Sequence, residues 1–487
     1  MDGNRRRDNR RLGGAAVKVR NPRTGEADYE ITPLGEPDIA ALANRLRGKQ
    51  AGWSALDVEE RAALLLQWSK AIALNAGALE QALTTDTGRQ KISGIEVDGT
   101  LRLIERWARL AGGIMAAAQI ENRATSIPGI STSTRLAPYP LVGAISPWNF
   151  PLTLALIDAI PALMAGCAVI VKPSEVTPRF IKPLMATLAE IPEIPLTVIE
   201  GDGMTGAALL RHVDYVAFTG SVATGRKVSG AAADAFIPAS LELGGKDPML
   251  VLASADPANA AEIALRASVV NSGQACQSIE RVYVAREIAE PFLTALAQKA
   301  NAVRLNYPDI AHGDIGPFIF EQQATIVQAQ IDDAIAKGAR LLAGGKVENL
   351  GGGQYLRPTV LTDITPDMVL VTEETFGPVI PVTIFDYVDE AIALANEGVY
   401  GLSGAVIAGS VEEAEAVGTR LKVGAVSIND GSLTSMVWEA EKTSFGLSGL
   451  GPSRMGDSGM LRFFRKQALI RQKGQALPLA AYSEDKR

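Results

Sequence analysis

Two side chains, Cys276 and Glu242, combine reactive chemistry with a setting in which it could be used. Cys276 lies where a predicted helix ends in small residues ahead of a strand, so its thiol is a candidate nucleophile. Glu242 stands between two leucines at the predicted carboxyl end of a strand, where α/β proteins form ligand sites. A carboxylate in apolar surroundings costs free energy unless it is paired or used, which makes Glu242 a candidate general base. The competing interpretation of a lone cysteine is a small buried hydrophobic residue, and we apply it to Cys167.

A glycine motif, G-x-G-x-x-G at Gly201, Gly203 and Gly206, follows a predicted strand and opens a helix, as in dinucleotide-binding folds. That fingerprint also requires an acidic residue about 20 positions further on, at the end of the next strand. The next strand ends in Ala-Phe-Thr at 217–219, so the acid is missing. We therefore interpret this motif as a tight turn and not as the cofactor site.

The following strand-to-helix turn, residues 218–225, is the better phosphate site. A helix N-terminus there offers unpaired N–H groups and the positive end of a dipole, and Ser221 adds a hydroxyl. The segment lacks the Lys-Ser or Lys-Thr pair of a nucleoside-triphosphate loop, because Arg226 and Lys227 follow Gly225. The turn thus predicts a dinucleotide pyrophosphate in preference to ATP.

Two stretches of alternating strands and helices must position these residues. The first runs from a strand at 141–145 to one at 239–243, and the second spans 249–426. Short apolar strands alternating with helices predict α/β domains with parallel, doubly wound sheets. Residues 125–135 and 467–472 have strand-like composition without an obvious partner, so both are candidates for an arm that pairs with another subunit.

Composition excludes several classes of function. The 487 residues include two cysteines and two histidines, which argues against a disulfide framework and predicts no metal site. A net charge of −7 predicts no nucleic-acid partner, although residues 1–14 are rich in arginine and are expected to form a disordered basic tail. The apolar run at 151–171 is interrupted by Asp158, Pro161 and Gly166, so no membrane span is predicted. A cytoplasmic location is the default expectation.

Six motifs in order and spacing make the chain resemble the aldehyde dehydrogenase superfamily, of the NAD(P)-dependent, non-acylating type, from about residue 20 to 473. The motifs are Pro147–Pro151, Lys172–Glu175, Phe218–Ser221, Leu241–Lys246, Gly273–Cys276 and Glu373–Pro378. The resemblance implies a Rossmann-type parallel-sheet cofactor domain at 15–118 and 139–244, and a second α/β catalytic domain at 245–450. Residues 119–138 and 451–487 are expected to form a small β oligomerisation arm and a C-terminal tail, in a homodimer or homotetramer.

The resemblance also implies the roles of the site residues. Cys276 attacks an aldehyde, the Asn149 amide and the Cys276 backbone N–H hold the oxyanion, and Glu242 activates the water that releases the acid. Cofactor contacts are expected from Trp148, Lys172, Ser174, Glu175, Gly220, Ser221, Thr224, Leu243, Glu374 and Phe376. NAD is predicted, with NADP possible, because the Glu175 carboxylate would accept from a ribose hydroxyl and repel a 2′-phosphate.

The predicted substrate is a medium to large hydrophobic or aromatic aldehyde. By position in the family, the tunnel is lined by Phe150, Leu154, Ile157, Gln277 and Phe445, most of which are apolar. Two departures from the family pattern are the shortened loop after Phe445 and an aspartate at 158, where many members have lysine. The alternatives are a CoA-acylating relative, against which Glu242 argues, and a catalytically silent binding homologue.

Overall fold

A computed structural model describes residues 15–484, which form two separate sheets of mostly parallel strands, a cap of N-terminal helices and a small antiparallel sheet. The predicted basic tail, residues 1–14, lies outside the described residues. The α/β fold class expected from the sequence is confirmed.

The strands, in chain order, are β1 Val17–Arg20, β2 Ala27–Ile31, β3 Arg123–Ala124, β4 Ile130–Pro138, β5 Leu141–Ile145, β6 Ala168–Lys172, β7 Leu196–Val198, β8 Tyr215–Thr219, β9 Ala239–Glu242, β10 Asp247–Val251, β11 Ile279–Ala285, β12 Arg340–Ala343, β13 Val347–Leu350, β14 Gly353–Leu356, β15 Thr359–Thr362, β16 Val379–Phe385, β17 Ser403–Ile407, β18 Ala425–Ile428, β19 Gly449–Leu450 and β20 Phe464–Gln472.

The α-helices are α1 Glu36–Ala55, α2 Val58–Leu74, α3 Ala76–Thr87, α4 Gln90–Ala118, α5 Pro151–Leu156, α6 Ala159–Ala165, α7 Ile181–Thr187, α8 Gly203–Leu209, α9 Val222–Asp234, α10 Pro257–Val269, α11 Arg286–Ala302, α12 Glu321–Ala336, α13 Val369–Thr372, α14 Val388–Asn396, α15 Val411–Gly418, α16 Leu433–Met436 and α17 Ser458–Leu461.

The first sheet has the strand order β19-β9-β8-β5-β6-β7. The five strands β5 to β9 run parallel to one another, and the short edge strand β19 runs antiparallel to β9. Strand β6 is buried along its whole length, as its unbroken apolar sequence requires when helices cover both faces. The order reverses between β5 and its neighbours β6 and β8, which is the switch point at which α/β sheets bind ligands. The predicted strands at 141–145, 168–171 and 215–218 are confirmed within one residue at their ends.

The second sheet has the order β12-β15-β16-β11-β10-β17-β18, and only the edge strand β12 runs antiparallel to its neighbour. Helices α10 and α11 cover one face, and α14 and α15 pack against the core residues of the other face. Strands β9 and β10 belong to different sheets but are joined by only four residues, Leu243–Lys246. This short connection holds the predicted base beside the second sheet.

The two segments predicted as arm strands pair with each other. Strand β20 runs antiparallel to β4 from Phe464 opposite Pro138 to Gln472 opposite Ile130, and the short β3 adds to the other edge of β4. After Phe464, most residues of β20 are exposed to solvent, including Ile470 at 72%. Within residues 15–484, no helix combines the length and the apolar character needed to cross a membrane.

Candidate active site

The loop that carries Cys276 is held in an unusual backbone conformation. After α10 ends, Asn271, Ser272 and Gly273 have φ angles of 62°, 55° and 69°, in the left-handed region that non-glycine residues rarely adopt. The Asn271 amide stabilises the turn by donating to the carbonyl oxygens of Asn149 at 3.2 Å and Gln274 at 2.9 Å. A side-chain oxygen of Gln274 accepts from the Ile319 N–H at 2.9 Å. These bonds anchor the loop to the segments around Asn149 and Ile319.

Gly273 is required by a close approach of two backbones. A Cβ at this position would overlap the carbonyl group of Gly377, so the nucleophile loop and the loop after Glu374 are in direct contact. The Ser272 hydroxyl donates to the Gly316 carbonyl oxygen at 2.9 Å and adds a third anchor. The two backbones are therefore in contact here and leave no room for a side chain at position 273.

The Cys276 thiol differs from that of Cys167 in its access to solvent. Cys167 is fully buried, whereas Cys276 is partly exposed. Burial of the sulfur among protein atoms, reinforced by the negative charge of Glu242, raises the pKa of Cys276 to about 12. The resting thiol is thus protonated near neutral pH and must lose its proton during the reaction.

Glu242 is the last residue of β9, beside Thr219 of β8 and Gly449 of β19. Its charge acts on the Cys276 thiol, so the predicted base and nucleophile lie in one site. The connection after β9 passes directly under the nucleophile, because a Cβ at Gly245 would stand 2.8 Å from the Cys276 carbonyl oxygen. The structure brings together the two residues that the sequence singled out.

Asn149 lies 2% exposed at the start of α5, and its amide donates to the Gln274 carbonyl oxygen at 3.0 Å. That bond uses one of the two N–H hydrogens of the amide. The Asn149 backbone is held by Arg89, whose guanidinium donates to the Asn149 carbonyl oxygen at 3.0 Å. Glu96 accepts from the N–H groups of Leu152 and Thr153, both at 3.1 Å, and so fixes the N-terminus of α5.

The loop with Glu374 and Phe376 is organised by a buried ion pair. The Glu280 carboxylate accepts from the Lys246 ammonium and from the N–H groups of Thr375 and Phe376, each at 2.8 Å. Phe376 has a φ of 54°, and these two backbone hydrogen bonds stabilise that conformation. Glu374 accepts from the Gly245 N–H at 3.1 Å, and burial together with the Glu280 charge raises its pKa.

The two glycine-containing turns differ in what occupies the helix N-terminus. At α8 the Asp202 carboxylate accepts from the N–H groups of Met204 and Thr205, so a negative charge already stands where a phosphate would bind. At α9 the cap is the neutral hydroxyl of Ser221, which accepts from the Thr224 N–H at 3.3 Å, and both residues are exposed. The N-terminus of α9, a helix of 13 residues, therefore fits a pyrophosphate and that of α8 does not.

The other predicted cofactor residues surround this turn and the switch point. Lys172 and Glu175 form an ion pair of 3.2 Å, with the lysine side chain 5% exposed and the glutamate 37% exposed. Trp148 packs edge-on against the Phe376 ring at a centroid distance of 5.4 Å. Leu243 is buried and packs on α9, because a Cβ at Gly225 would stand 2.6 Å from its side chain. Glu175, Ser221 and Phe376 are the residues that would hold a dinucleotide. Ser174 and Gly220 are partly exposed beside them.

The predicted substrate-lining residues have different environments. Phe445 is 49% exposed, Ile157 is buried at 7%, and Phe150, Leu154 and Gln277 are intermediate. The Arg89 guanidinium lies over the Phe150 ring at 5.7 Å. A side-chain oxygen of Gln277 is buried without a hydrogen-bond partner in the described chain.

Asp158 is buried between two arginines. Its carboxylate accepts from Arg454 at 2.8 Å and from Arg462, and Arg454 also donates to the Thr219 hydroxyl at 2.5 Å. Burial acts to raise the pKa of Asp158, but the two guanidiniums outweigh it and hold that pKa below its usual value. The position where the resemblance places a lysine in many members thus holds a buried aspartate that pairs with two arginines.

Sequence reasoning missed the residues that support the reactive ones: Arg89, Glu96, Asn271, Glu280 and Arg454. The available signal was a charged or amide side chain in a largely apolar segment, as in Ser-Ile-Glu-Arg-Val around Glu280. Among residues 15–484, no group of three or more His, Cys, Asp or Glu side chains is arranged to hold a metal ion.

Comparisons with known proteins agree with this geometry. A sequence model of the aldehyde dehydrogenase family matches residues 11–469. A protein of Mycolicibacterium smegmatis provisionally named succinate-semialdehyde dehydrogenase, NADP(+), is 36% identical over 444 residues, which cover 90% of this chain and 85% of that protein.

Solved structures are similar over nearly the whole fold. The structure of a protein from Anabaena variabilis, provisionally named an aldehyde dehydrogenase, superposes with a TM-score of 0.93 at 51% identity, covering 95% of this chain and 99% of that chain. Betaine aldehyde dehydrogenase from Staphylococcus aureus, in complex with NAD+, superposes with a TM-score of 0.87 at 28% identity, covering 95% and 93%.

Proposed function

The chain belongs to the aldehyde dehydrogenase family, whose cofactor is NAD(P)+, and from that premise we propose that it oxidises an aldehyde to the free carboxylic acid through Cys276. The observation that carries this proposal is the convergence of Cys276, Glu242 and Asn149 around one position. The Asn149 amide bonds the residue two positions before the nucleophile, and the Glu242 charge acts on the thiol.

The first step is attack of the Cys276 sulfur on the aldehyde carbon, with the thiol proton lost to a base or to solvent. The resulting oxyanion is stabilised by the Asn149 amide and the Cys276 N–H, each contributing about 3 kcal/mol to the transition state. A nicotinamide dinucleotide held by Glu175, Ser221 and Phe376 would supply the acceptor for the hydride that leaves the carbon of this adduct. A thioester on Cys276 remains.

Hydrolysis of the thioester completes the proposed reaction. Glu242 accepts a proton from water, the water oxygen bonds to the acyl carbon, and the sulfur leaves. Glu242 favours hydrolysis over the CoA-acylating alternative, because transfer to CoA does not require a carboxylate that activates water. The complete set of Cys276, Glu242 and Asn149 likewise argues against a catalytically silent homologue.

The test follows the reduced cofactor by its near-ultraviolet absorbance with NAD+ and a panel of aldehydes. Cys276→Ala is expected to abolish oxidation, and Cys167→Ala to retain it. Glu242→Gln is expected to accumulate a thioester detectable as a mass increase on Cys276. Stimulation of wild-type turnover by CoA, with an acyl-CoA product, would favour the acylating alternative.

For the substrate, we propose a medium to large hydrophobic or aromatic aldehyde. Phe445 and Val270 expose 49% and 48% of their surface, so apolar side chains stand open near the nucleophile loop. Each methylene that the substrate buries against such a wall adds up to about 0.8 kcal/mol of binding. Specificity constants are therefore expected to rise from acetaldehyde through hexanal to benzaldehyde.

A carboxylate-bearing aldehyde is the second candidate, and one observation favours it. The Lys442 ammonium lies near enough to Cys276 to act against the rise of its pKa, and it shares a loop with Phe445. The mycobacterial relative is named for succinic semialdehyde. Lys442→Met separates the candidates, because it should lower activity toward succinic semialdehyde and leave benzaldehyde unaffected.

We also propose NAD over NADP, a homodimer or homotetramer, and a cytoplasmic location. The cofactor preference is supported by Glu175, although its pairing with Lys172 weakens the repulsion of a 2′-phosphate. The oligomer is supported by exposed apolar side chains near the sheet of β3, β4 and β20, namely Leu469, Ile470, Leu477 and Leu479. Size-exclusion chromatography with light scattering measures the molar mass and hence the oligomeric state.

A further inference from the structure

The cluster of Asp158, Arg454, Arg462 and Thr219 adjoins the proposed site but has no role in the reaction as derived above. All three charged side chains are at most 8% exposed. Two guanidiniums face one carboxylate, so the cluster carries one excess positive charge. A buried excess charge is costly unless another group of opposite sign balances it.

Arg454 is placed to direct that charge toward Glu242. Its guanidinium donates to the Thr219 hydroxyl at 2.5 Å. Thr219 and Glu242 are register partners in the parallel strands β8 and β9. Such partners project their side chains to the same face of the sheet, so Arg454 lies on the Glu242 side. Its Nε–H is buried and has no hydrogen-bond partner among the described residues.

The electrostatics of Arg454 agree with this geometry. Burial acts to lower the pKa of the Arg454 guanidinium, but the negative charges of Asp158 and Glu242, together with the hydrogen bond to Asp158, outweigh it and raise that pKa. The guanidinium is thus a permanent cation that both the base and the nucleophile sense.

We propose that Arg454, anchored by Asp158 and Thr219, is a positioning residue for Glu242 that orients its carboxylate to accept a proton from the hydrolytic water. This inference rests on the function proposed above. In the step concerned, the water oxygen bonds to the acyl carbon and its proton passes to Glu242. The C–S bond then breaks, and sulfur leaves as the Cys276 thiolate, which takes up a proton.

The other charges around the site act mainly through Cys276. Glu242 faces the Cys276 thiol and the Arg454 guanidinium, with Asp158 and Arg462 behind Arg454. The thiol in turn senses Lys442, Glu374 and Asp247. A change at Arg454 therefore alters a cation that interacts with both Glu242 and Cys276 and is held in place by Asp158 and Thr219.

The test isolates hydrolysis from oxidation. 4-Nitrophenyl acetate acylates a cysteine without cofactor, since the thiolate displaces 4-nitrophenolate, and the steady phase after the burst then reports hydrolysis of the thioester. The rate is measured across pH for the wild type and for Arg454→Gln, Arg454→Lys, Asp158→Asn and Arg462→Gln. Circular dichroism checks that each variant is folded.

Arg454→Gln is expected to slow the steady phase and to move the midpoint of its pH–rate profile upward, because it removes a positive charge on the side of the carboxylate that accepts the proton. Arg454→Lys should restore the wild-type midpoint. Asp158→Asn should move it down, since the cluster then gains positive charge, and this variant decides the matter if Arg454→Gln does not fold. Arg462→Gln removes the arginine that pairs with Asp158 but does not bond Thr219, and it should shift the midpoint less than Arg454→Gln does.

An unchanged midpoint in folded Arg454→Gln or Asp158→Asn overturns the proposal, as does an equal shift in Arg462→Gln. Failure of the proposed function has a different signature. In that case the wild type forms no acyl group on Cys276, or Glu242→Gln hydrolyses it at the normal rate, and both proposals fall together.

Discussion

Replacing Glu280 by glutamine tests whether the buried ion pair of Glu280 and Lys246 holds the loop of Glu374 and Phe376 in place. Glu280 and Lys246 are 3% and 2% exposed, and the carboxylate accepts three hydrogen bonds of 2.8 Å. A glutamine keeps one acceptor oxygen but turns an N–H₂ group toward the remaining donors. The Lys246 charge is then buried without a counter-charge. Breaking a buried pair in this way costs about 3–5 kcal/mol.

The assay is urea-induced unfolding followed by tryptophan fluorescence. Glu280→Gln is expected to lower the free energy of unfolding by about 3–5 kcal/mol. The double variant Glu280→Gln with Lys246→Met should recover part of that loss, because it removes the unpaired charge. Asp386→Asn breaks an exposed pair with Arg286, whose side chains are 50% and 60% exposed, and should cost less than about 1 kcal/mol.

The same substitution should weaken cofactor binding. The N–H groups of Thr375 and Phe376 lose their acceptors, so the left-handed conformation of Phe376 is no longer stabilised. A higher KM for NAD+ is expected in Glu280→Gln and not in Asp386→Asn. A loss of less than about 1 kcal/mol in Glu280→Gln, or a double variant less stable than the single one, would refute the reasoning.

Four further expectations concern the reactive residues and the proposed cofactor contacts. Since the pKa of Cys276 is about 12, iodoacetamide alkylation of the cofactor-free protein should accelerate about tenfold per pH unit from neutral pH upward. Glu242→Gln should speed it at fixed pH, because a charge that disfavours the thiolate is removed; slower alkylation would mean that Glu242 acts as the base for the thiol. Ser221→Asp should raise the Kd of NAD+ measured by calorimetry, whereas Asp202→Asn, at the other turn, should not change it. Glu175→Gln should raise the specificity constant with NADP+ relative to NAD+, and an unchanged ratio would remove Glu175 from cofactor selection.

The parts of the fold that the sequence predicted share a physical cause. Strands such as β5 and β6 are buried on both faces, so they appear as short apolar runs bounded by polar or glycine residues. Cys276 and Glu242 stood out because a reactive group next to small or apolar residues is costly and therefore informative. That β4 and β20 belong to one arm came from the family resemblance and not from local sequence, since partners more than 300 positions apart carry no local signal of one another.

The supporting polar network lay beyond sequence reasoning for the same reason. Arg454 and Asp158 are separated by 296 positions, and Glu280 bonds backbone N–H groups 95 and 96 positions away. An apolar neighbourhood can mark such a charge as buried, but it does not identify the partner. The burial of these residues indicates that the geometry of Cys276, Glu242 and Phe376 depends on charges outside the recognisable motifs.

The two glycine turns illustrate how a single side chain decides between equivalent patterns. Both follow a parallel strand and open a helix, and the turn at Gly201 matches the glycine fingerprint better. Asp202 nevertheless satisfies the first N–H groups of α8 with a carboxylate, which repels a phosphate, whereas Ser221 caps α9 with a neutral hydroxyl. The charge of the capping residue, more than the glycine spacing, therefore determines which helix N-terminus is available to an anion.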